Sequence, residues 1–517
     1  MLIMTLSFSI HLIVRFQELH AEHPDKSQHW LVLQTLRKKY LPCLYTALTT
    51  MVAFGSLLFS FIRPVIDFGW MMTMGIAIAF ILSFTLFPAM LMLFKKDTPL
   101  SRNNISGDVT AKVANVIKAS PRSVMFMFIV LFLVSVFGIT KLTVENRFID
   151  YFKESTEIYQ GMSLIDEKLG GTTPLDVIID APQSFYDNKS KAYEPDPEML
   201  EEFGMTAKEF MASQTNNGGI TATSYWFNVE RLKQVDAIHN YLEQLPDTGK
   251  VLSVASTIAM IKPLDADIVN DNFYLSILYK KLPAEIKSIV LDPYMNDEGN
   301  QLRFSIRIYE SDKNLKRNAL LTNIKKDLQE QFNLAPEQIN LTGMAVMYNN
   351  MLQNLFKSQI LTLGVVFIAI LLMFIVLFKN LRLSIIALIP NVIAACMVLG
   401  IMGLFAIPLD LMTITIAAIS VGIAVDNSIH YIHRFRNEFE RTQDYWLSVQ
   451  NSHGSIGRAL YYTSMTITLG FSILVMSNFT PTMYFGLLTG FAMLMALIAN
   501  LTLLPLLLVT FKPLLNK

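Results

Sequence analysis

The stretch "SVGIAVDNSIHYIHRF", residues 420–435, decides the fold because it places ionisable side chains in a segment that is otherwise apolar enough to lie in lipid. Asp426 and His430 lie four residues apart, so they share one face of a helix. An aspartate at the centre of a membrane-spanning helix costs about 2.5–3.5 kcal/mol, and such a residue is expected to have a function. We therefore predict that the pair shares a proton. The alternative is that Asp426 only hydrogen-bonds a neighbouring helix and that His430 only packs there.

The composition of the whole chain is that of a membrane protein. Of its 517 residues, 52% are hydrophobic and 16% are charged, and apolar runs near the ~20 residues needed to cross a bilayer recur along it. Nine candidate crossings are predicted, at about residues 1–14, 43–62, 66–94, 121–140, 359–378, 383–404, 410–432, 459–478 and 483–510. The net charge of zero gives no indication of nucleic-acid binding, and the two cysteines, both in apolar runs, indicate neither a disulfide framework nor a zinc cluster.

The basic residues of the short loops predict how the chain crosses the membrane, because Lys and Arg near helix ends stay in the cytoplasm. The basic residues concentrate in residues 15–39, 95–122, 379–382, 434–458 and 512–517. The loops on the opposite side, near 63–66, 405–409 and 479–482, contain a single basic residue, Arg63. This asymmetry predicts that residues 142–358 lie outside the cytoplasm and that the C-terminus lies inside. A large domain outside the cytoplasm suits the inner membrane of a bacterium.

The polar block at residues 142–358 has the pattern of a folded α+β domain. Three stretches predict strands, "TPLDVIIDA", "QLRFSIRIYE" and "INLTGMAV", and two others have the apolar spacing of helices, "VERLKQVDAIHNYLEQL" and "NLKRNALLTNIKKDLQEQF". Because the order strand, helix, strand recurs, we predict a ferredoxin-like sandwich of the split βαβ type. Residues 182–225, with "YDNKSKAYEPDPEM" and "SQTNNGG", are expected to form a loop-rich insertion.

An internal repeat organises the rest of the chain. "SIHLIVRF", residues 9–16, matches "SIHYIHRF", residues 428–435, at an offset of 419, and the next two segments match at an offset of 417. The second copy is complete and contains one helix, the external domain and five more helices. The first copy retains only three helices, so we expect that the chain lacks an N-terminal portion. The alternative is a short opening helix that ends within the membrane.

The repeat and the loop charges together predict five regions. Residues 1–94 are the last three membrane helices of the first repeat, and residues 95–120 are a cytoplasmic linker. Residues 121–141 are the first membrane helix of the second repeat, residues 142–358 the extracytoplasmic domain, and residues 359–517 a five-helix membrane bundle. The predicted fold is therefore a polytopic α-helical membrane protein with a pseudo-twofold repeat and one large extracytoplasmic α+β domain.

The stretch "GIAVDNSIHYIHRF", the repeat, and the external stretches "ENRFIDYFKEST" and "LGGTTPLDVIID" resemble the RND (resistance-nodulation-division) superfamily, and within it the MMPL-type exporters with a sterol-sensing-type helix bundle. The resemblance implies that proton flow through the bundle drives motions of external domains that pass lipidic or amphiphilic compounds outward. It also implies that the acidic residue at the position of Asp426 belongs to the proton relay. In the first copy the matching residue is Ser7, where many relatives carry a second acidic residue, while His11 is retained.

The candidate relay residues are polar side chains within apolar segments: Asp426, His430, Thr463, Thr466, Ser7 and His11. The threonines, with Thr46, Thr49 and Thr50 of the first copy, are expected to hydrogen-bond across helices or to line a hydrated path, unless they bond back to their own helix. Asn391 and Asn500 are weaker candidates of the same kind. The chain has no phosphate-binding glycine loop and its histidines are scattered along the sequence, so neither ATP, a cofactor nor a metal is expected.

Two functions remain open from the sequence. The first is a proton-driven exporter of lipidic or amphiphilic compounds, which is not an enzyme. The second is a non-transporting membrane module, either a sterol-sensing-like regulator or a SecD/SecF-like accessory protein. The expected partners are the transported compound, protons and membrane lipids, with a missing first half, an adaptor or an oligomer partner in addition; no nucleic acid is expected.

Overall fold

The computed structural model describes residues 2–60, 62–93, 105–142, 147–192, 220–221, 223–263, 270–410 and 412–514. The chain divides into two compact units, one of Met1–Asn146 with Leu352–Lys517 and the other of Arg147–Met351. The stretches "EPDPEM" and "SQTNNGG" of the predicted insertion, and the loop residues Lys95, Lys96 and Arg102, lie outside the described residues.

The first unit begins with five helices. They are α1 (Leu2–Glu22), α2 (Gln28–Gly55), α3 (Arg63–Leu93), α4 (Ile105–Ala119) and α5 (Pro121–Ile139). The side chain of Ser27 accepts a hydrogen bond from the backbone N–H of Trp30 and so caps the start of α2. Proline at the first position of α5 removes an N–H that would have no partner within the helix. The described part of the predicted linker is therefore largely helical.

The second unit is an antiparallel four-stranded sheet with helices packed against it. Its elements in chain order are α6 (Glu157–Leu169), β1 (Thr173–Asp180), α7 (Gln183–Ala192), α8 (Val229–Glu243), β2 (Thr248–Leu252), α9 (Val254–Ile261), α10 (Asn272–Lys281), α11 (Ala284–Val290), β3 (Gln301–Ile308), α12 (Arg317–Glu330) and β4 (Ile339–Thr342). The strand order is β2-β3-β1-β4, with every neighbouring pair antiparallel. The units β1–α8–β2 and β3–α12–β4 thus confirm the ferredoxin-like split βαβ prediction.

The core of this sheet follows from the alternation in its two central strands. Leu175, Val177 and Ile179 of β1 are fully buried, and their neighbours on the other face are partly exposed. β3 alternates in the same way and pairs with β1 from Thr173 opposite Ile308 to Asp180 opposite Gln301. One face of the sheet therefore packs into the hydrophobic core, as period-two alternation requires.

Three details of this unit differ from the sequence prediction. β2 was not predicted, because "TGKVL" is short and only two of its residues are buried. The strand predicted at "INLTGMAV" ends at Thr342, since Gly343 adopts a φ of +100° and a helix starts at Met344. The insertion predicted to be loop-rich contains α7 in its described part, so that prediction was wrong there.

His239 gives this unit an expected pH dependence. The side chain is buried in α8 with its Nδ1 atom 3.0 Å from the Ser253 hydroxyl, and burial lowers the pKa of His239, partly offset by Glu243 and Asp236. The folded state therefore favours the neutral ring. The contribution of His239 to the free energy of unfolding is greatest above the unfolded-state pKa of about 6.5, and it falls at lower pH because the unfolded chain takes up the proton more readily.

We expect the His239→Gln variant to lose less stability than the wild type between about pH 7 and pH 5, because it cannot take up this proton. Hydrogen–deuterium exchange of β2 in the full chain measures the difference. An identical pH dependence in the two proteins would contradict this assignment of the titrating group.

The first unit is completed by six helices that follow β4. They are α13 (Met344–Phe378), α14 (Leu381–Leu404), α15 (Thr413–Thr442), α16 (Tyr445–Ser472), α17 (Thr480–Leu501) and α18 (Leu503–Phe511). Among the described residues, eight helical stretches are long and apolar enough to cross a membrane, and α17 with α18 counts as one of them. Eight of the nine predicted runs correspond to these stretches, and the run at the start of the chain forms α1.

The repeat in the sequence is confirmed in the geometry of the helices. α2 and α16 each contain 28 residues, and each leads into a 3₁₀ turn, Ser56–Phe59 in one copy and Ile473–Met476 in the other. The ring centroids of Phe54 and Phe68 lie 6.0 Å apart, and those of the equivalent pair, Phe471 and Phe485, lie 5.8 Å apart. The copies differ at their ends, because α3 continues unbroken to Leu93 whereas the equivalent segment breaks at Thr502.

Candidate functional site

The helix that contains the opening stretch, α15, lies at the centre of the first unit. It packs against α2, α14, α16 and α17, and every residue from 415 to 432 is buried. Polar side chains on this helix must therefore find most of their partners on the surrounding helices, because little of their surface is open to solvent. The contacts of these side chains define the candidate site.

Asp426 is the focus of that site and is only 4% exposed. The Thr46 hydroxyl donates a hydrogen bond of 2.6 Å to its Oδ1 atom, and His430 Nε2 lies 3.1 Å from the same atom. On the other carboxylate oxygen, Oδ2, the Ser7 hydroxyl donates across 3.4 Å and His11 Nε2 lies 3.5 Å away. Residues of both repeat copies therefore surround a single carboxylate.

The two histidines lie against each other at equivalent positions of the repeat. The rings of His11 and His430 stack with centroids 4.0 Å apart at an angle of 22°, and both side chains are buried. Nε2 of each ring lies within 3.5 Å of a carboxylate oxygen, so a proton can reside on the carboxylate or on either ring. In the sequence the histidines look too scattered for a cluster; residues 419 apart meet here because the two repeat copies pack together.

One carboxylate oxygen and two imidazole nitrogens within 4.8 Å of one another also form a donor set that a transition metal accepts. The sequence prediction of no metal did not anticipate this proximity. The surroundings of the cluster, described below, carry several basic side chains, which oppose the entry of a free cation.

The threonines divide into two groups. Thr46 contacts Asp426, and the Thr50 hydroxyl donates to the carbonyl of Gly422 on α15 at 3.1 Å. Thr463, the repeat equivalent of Thr46, donates instead to the carbonyls of Ala459 and Leu460 on its own helix.

The structure thus brings Ser7, His11, His430 and Thr46 around the carboxylate and does not bring Thr463 there. Thr466 is half-buried on α16, and it forms no hydrogen bond to Asp426 in the described part of the chain. Thr49 donates to the carbonyls of Tyr45 and Thr46 within α2.

A second polar network ties α15 to two other helices. The Ser428 hydroxyl donates to Asn500 at 2.6 Å and accepts from the side-chain amide of Asn391 at 2.9 Å. All three side chains are fully buried. Such contacts fix the rotation of α15 about its axis, because a rotated helix would leave these groups unpaired in an apolar interior. The network therefore holds Asp426 towards α1 and α2.

A cavity of about 400 Å³ adjoins the site and has His430 in its wall. Its other walls carry a cluster of basic residues, Arg15, Arg37, Lys38, Lys39 and Arg434. His433 also lines this cavity. Because Arg37 and Lys38 are exposed, the cavity extends from the surface of the unit to a ring that touches Asp426.

The fold is that of a multi-pass membrane protein, with eight stretches among the described residues that are long and apolar enough to cross a membrane. The chain matches the MMPL family over residues 5–124 and 219–513, and it belongs to that family. This confirms the resemblance inferred from the sequence. The membrane protein MJ1562 of Methanocaldococcus jannaschii is 26% identical over 287 residues, which cover 53% of this chain and 70% of that protein.

Two solved structures share the fold. A heavy metal efflux pump matches with a TM-score of 0.57 at 13% identity, over 99% of this chain and 60% of the pump chain. The hedgehog release protein Disp of the water bear Hypsibius dujardini matches with a TM-score of 0.60 at 13% identity, over 98% of this chain and 62% of the Disp chain. The chain thus spans about three fifths of the length of the solved structures it resembles.

Proposed function

We propose that this protein is a proton-driven exporter of lipidic or amphiphilic compounds, in which Asp426 binds and releases the transported proton. The observation that carries the proposal is a single buried carboxylate in contact with two imidazoles that stack on each other, with Oδ–Nε2 distances of 3.1 and 3.5 Å. A buried carboxylate with no permanent cation in contact is stable only when its charge is balanced by proton uptake nearby. Protonation and release therefore change the balance of forces between helices of the two repeat copies.

The absence of a second carboxylate makes the proposed relay asymmetric. Ser7 stands where the repeat would place the partner of Asp426, and its hydroxyl reaches Oδ2 instead. His11 contacts the same oxygen from the same helix. The first copy therefore contributes polar partners to the relay while the second contributes the acid. We further propose that the basic end of the bundle is cytoplasmic and that residues 142–358 lie outside and handle the exported compound.

The direct test is reconstitution of the purified chain into liposomes with an imposed pH gradient. A pH-sensitive dye in the lumen reports proton flux, and a panel of fluorescent lipid analogues reports movement of amphiphiles. We expect both signals to depend on the protein and on the gradient. Proton flux and lipid movement equal to those of empty liposomes would instead favour the non-transporting module.

Thr46 offers a graded test of the same site. The Thr46→Val variant keeps the shape of the side chain but removes the donor at 2.6 Å from Asp426. A hydrogen bond to a charged group contributes about 1.5–3 kcal/mol, so we expect proton flux to fall by about tenfold or more. Flux in the reconstituted system measures the effect.

Thr463→Val is the matched control, because that hydroxyl occupies the equivalent repeat position but, among the described residues, bonds only to carbonyls of its own helix. We expect it to retain nearly the wild-type flux. Equal losses in the two variants would contradict a specific role for the Thr46 contact.

A further inference from the structure

The cavity beside His430 carries more positive charge than its carboxylates balance. Arg15 pairs with Glu18 at 2.7 Å, and Arg434 pairs with Glu438 at 2.8 Å. The remaining basic residues of its wall, Arg37, Lys38 and Lys39, form no ion pair within the described residues. Three cations close together in a recess between helices attract an anion more strongly than the same charges on an open surface.

Lys39 lies deeper in the cavity than the other two basic residues. Its side chain is half-buried on α2, whereas those of Arg37 and Lys38 are exposed at the rim. An anion that enters the cavity therefore meets basic groups at the mouth and further inside. Its inner wall includes His430, which places the bound anion near the ring in contact with Asp426.

A second, mainly apolar pocket adjoins the basic cavity. Its volume is about 210 Å³, and it shares Leu41, Pro42, His433 and Asn437 with the walls of the cavity. The other wall residues are Tyr45, Leu377, Phe378 and Ile429, from α2, α13 and α15, and the charged Arg436 and Glu440 of α15. A charged recess that continues into an apolar one matches a molecule with an anionic head and a hydrocarbon chain, and a free inorganic anion would leave the second recess unfilled.

We propose that these joined recesses bind an anionic phospholipid, with the phosphate of the headgroup among Arg37, Lys38 and Lys39 and the start of an acyl chain along Leu377 and Phe378. Basic pockets between membrane helices are suited to such headgroups. The lipid comes from the leaflet on the basic side of the bundle, which is the side opposite to the one that the exporter proposal assigns to release. Binding does not require transport, but it places a phosphate beside the relay and so makes the lipid a regulator of proton movement.

Native mass spectrometry of the full-length protein in detergent tests the proposal, with phosphatidylglycerol and phosphatidylcholine of identical chains as probes. The test variant is Arg37→Gln/Lys38→Gln/Lys39→Gln. The matched control, Lys118→Gln/Arg382→Gln/Arg441→Gln, removes three exposed basic residues that line neither recess. We expect the wild type to bind the first phosphatidylglycerol at least about tenfold more tightly than phosphatidylcholine.

Each basic residue near a lipid headgroup contributes about a fivefold factor, so the test variant should lose about 100-fold in phosphatidylglycerol affinity and the control no more than about twofold. Equal affinity of the wild type for the two lipids, or equal losses in the two variants, would overturn the proposal. Displacement of the lipid by inorganic phosphate at matching concentration would identify a site for a soluble phosphate and would also overturn it.

Two further variants separate this site from its surroundings. Leu377→Asn places a polar group in the apolar recess and should weaken phosphatidylglycerol binding while leaving binding of soluble glycerol phosphate unchanged. Asp426→Asn should retain the preference for phosphatidylglycerol even if it stops proton flux, because Asp426 lines neither recess. Failure of the exporter proposal and failure of the lipid proposal thus give different results.

Discussion

Replacement of Asp426 by asparagine is expected to abolish proton-driven export while the protein remains folded in the membrane. Asparagine has the same shape and its carbonyl oxygen still accepts the hydrogen bond that Thr46 donates at 2.6 Å. Asparagine cannot bind or release a proton, so the proposed proton exchange between residue 426 and the two imidazoles would stop. Loss of a positioned proton-transfer group typically costs about 100-fold or more, and we expect a loss of flux of that size.

Asp410 provides the matched control for this substitution. It is a buried carboxylate in the segment before α15, and it accepts hydrogen bonds from the backbone N–H groups of Met412 and Thr413 at 2.8 and 2.7 Å. Burial raises the pKa of Asp410, and these hydrogen bonds partly offset the effect. Asp410→Asn keeps an acceptor for both donors, so we expect it to retain transport.

Membrane abundance and thermal stability distinguish the two roles open to Asp426. If it carries the proton, the Asp426→Asn variant should match the wild type in both and differ only in flux. If it serves only to lock α15 to α1 and α2, flux and stability should fall together. A variant that transports normally at full abundance would contradict the proposed relay outright.

The sequence predicts the part of this site that depends on local geometry. Asp426 and His430 face each other because residues four apart on a helix lie on one face, and their 3.1 Å contact needs no knowledge of the fold. The contact with His11 at 3.5 Å depends on how the two repeat copies pack, which the repeat suggests but does not specify. Thr46 was named among several equivalent threonines, and nothing local separates it from Thr463.

The pseudo-twofold relation explains why Thr46 and Thr463 differ. Ser7 and Asp426 occupy equivalent positions of the two repeat copies. Because the copies pack against each other, the threonine of one copy faces the residue at this position in the other copy. Thr46 of the first copy therefore meets the carboxylate of the second copy. Thr463 of the second copy has no carboxylate to meet, and its hydroxyl bonds to Ala459 and Leu460. Sequence reasoning that pairs Asp426 with the threonines of its own copy selects the wrong helix.

The sheet shows the same limit. β1 and β3 were predicted because their apolar residues alternate, and alternation is visible within one strand. β2 exists because the edge of β3 offers unpaired backbone groups to "TGKVL", whose own pattern is weak. Its formation depends on a partner about fifty residues away, and a local pattern does not contain that information.

A buried ion pair in the second unit leads to the other large expected effect. The carboxylate of Glu310 and the guanidinium of Arg317 are in direct contact, and their side chains are 3% and 1% exposed. Glu310 also accepts hydrogen bonds from the backbone N–H of Phe148 at 2.7 Å and from the Thr173 hydroxyl at 2.9 Å. The pair thus joins the segment before α6, the start of β1 and the start of α12.

Arg317→Met is expected to destabilise this unit by about 3–5 kcal/mol, because it leaves the Glu310 carboxylate buried without a cation. Hydrogen–deuterium exchange of β1 and β3 in the full-length protein measures the loss. The control is Lys326→Gln, which breaks a pair with Glu330 whose side chains are both 64% exposed, and exposed pairs contribute little.

The double variant Glu310→Gln/Arg317→Met separates the buried charge from lost packing. Glutamine is neutral; its carbonyl oxygen can accept from the N–H of Phe148, and its amide NH2 can donate to the Thr173 hydroxyl, so it should restore much of the protection lost in Arg317→Met. If uncompensated charge causes the destabilisation, the double variant is more stable than the single one. If the double variant is as unstable as the single one or less stable, the loss comes from the packing of the Arg317 side chain against Tyr348, whose ring centroid lies 5.0 Å from the guanidinium carbon.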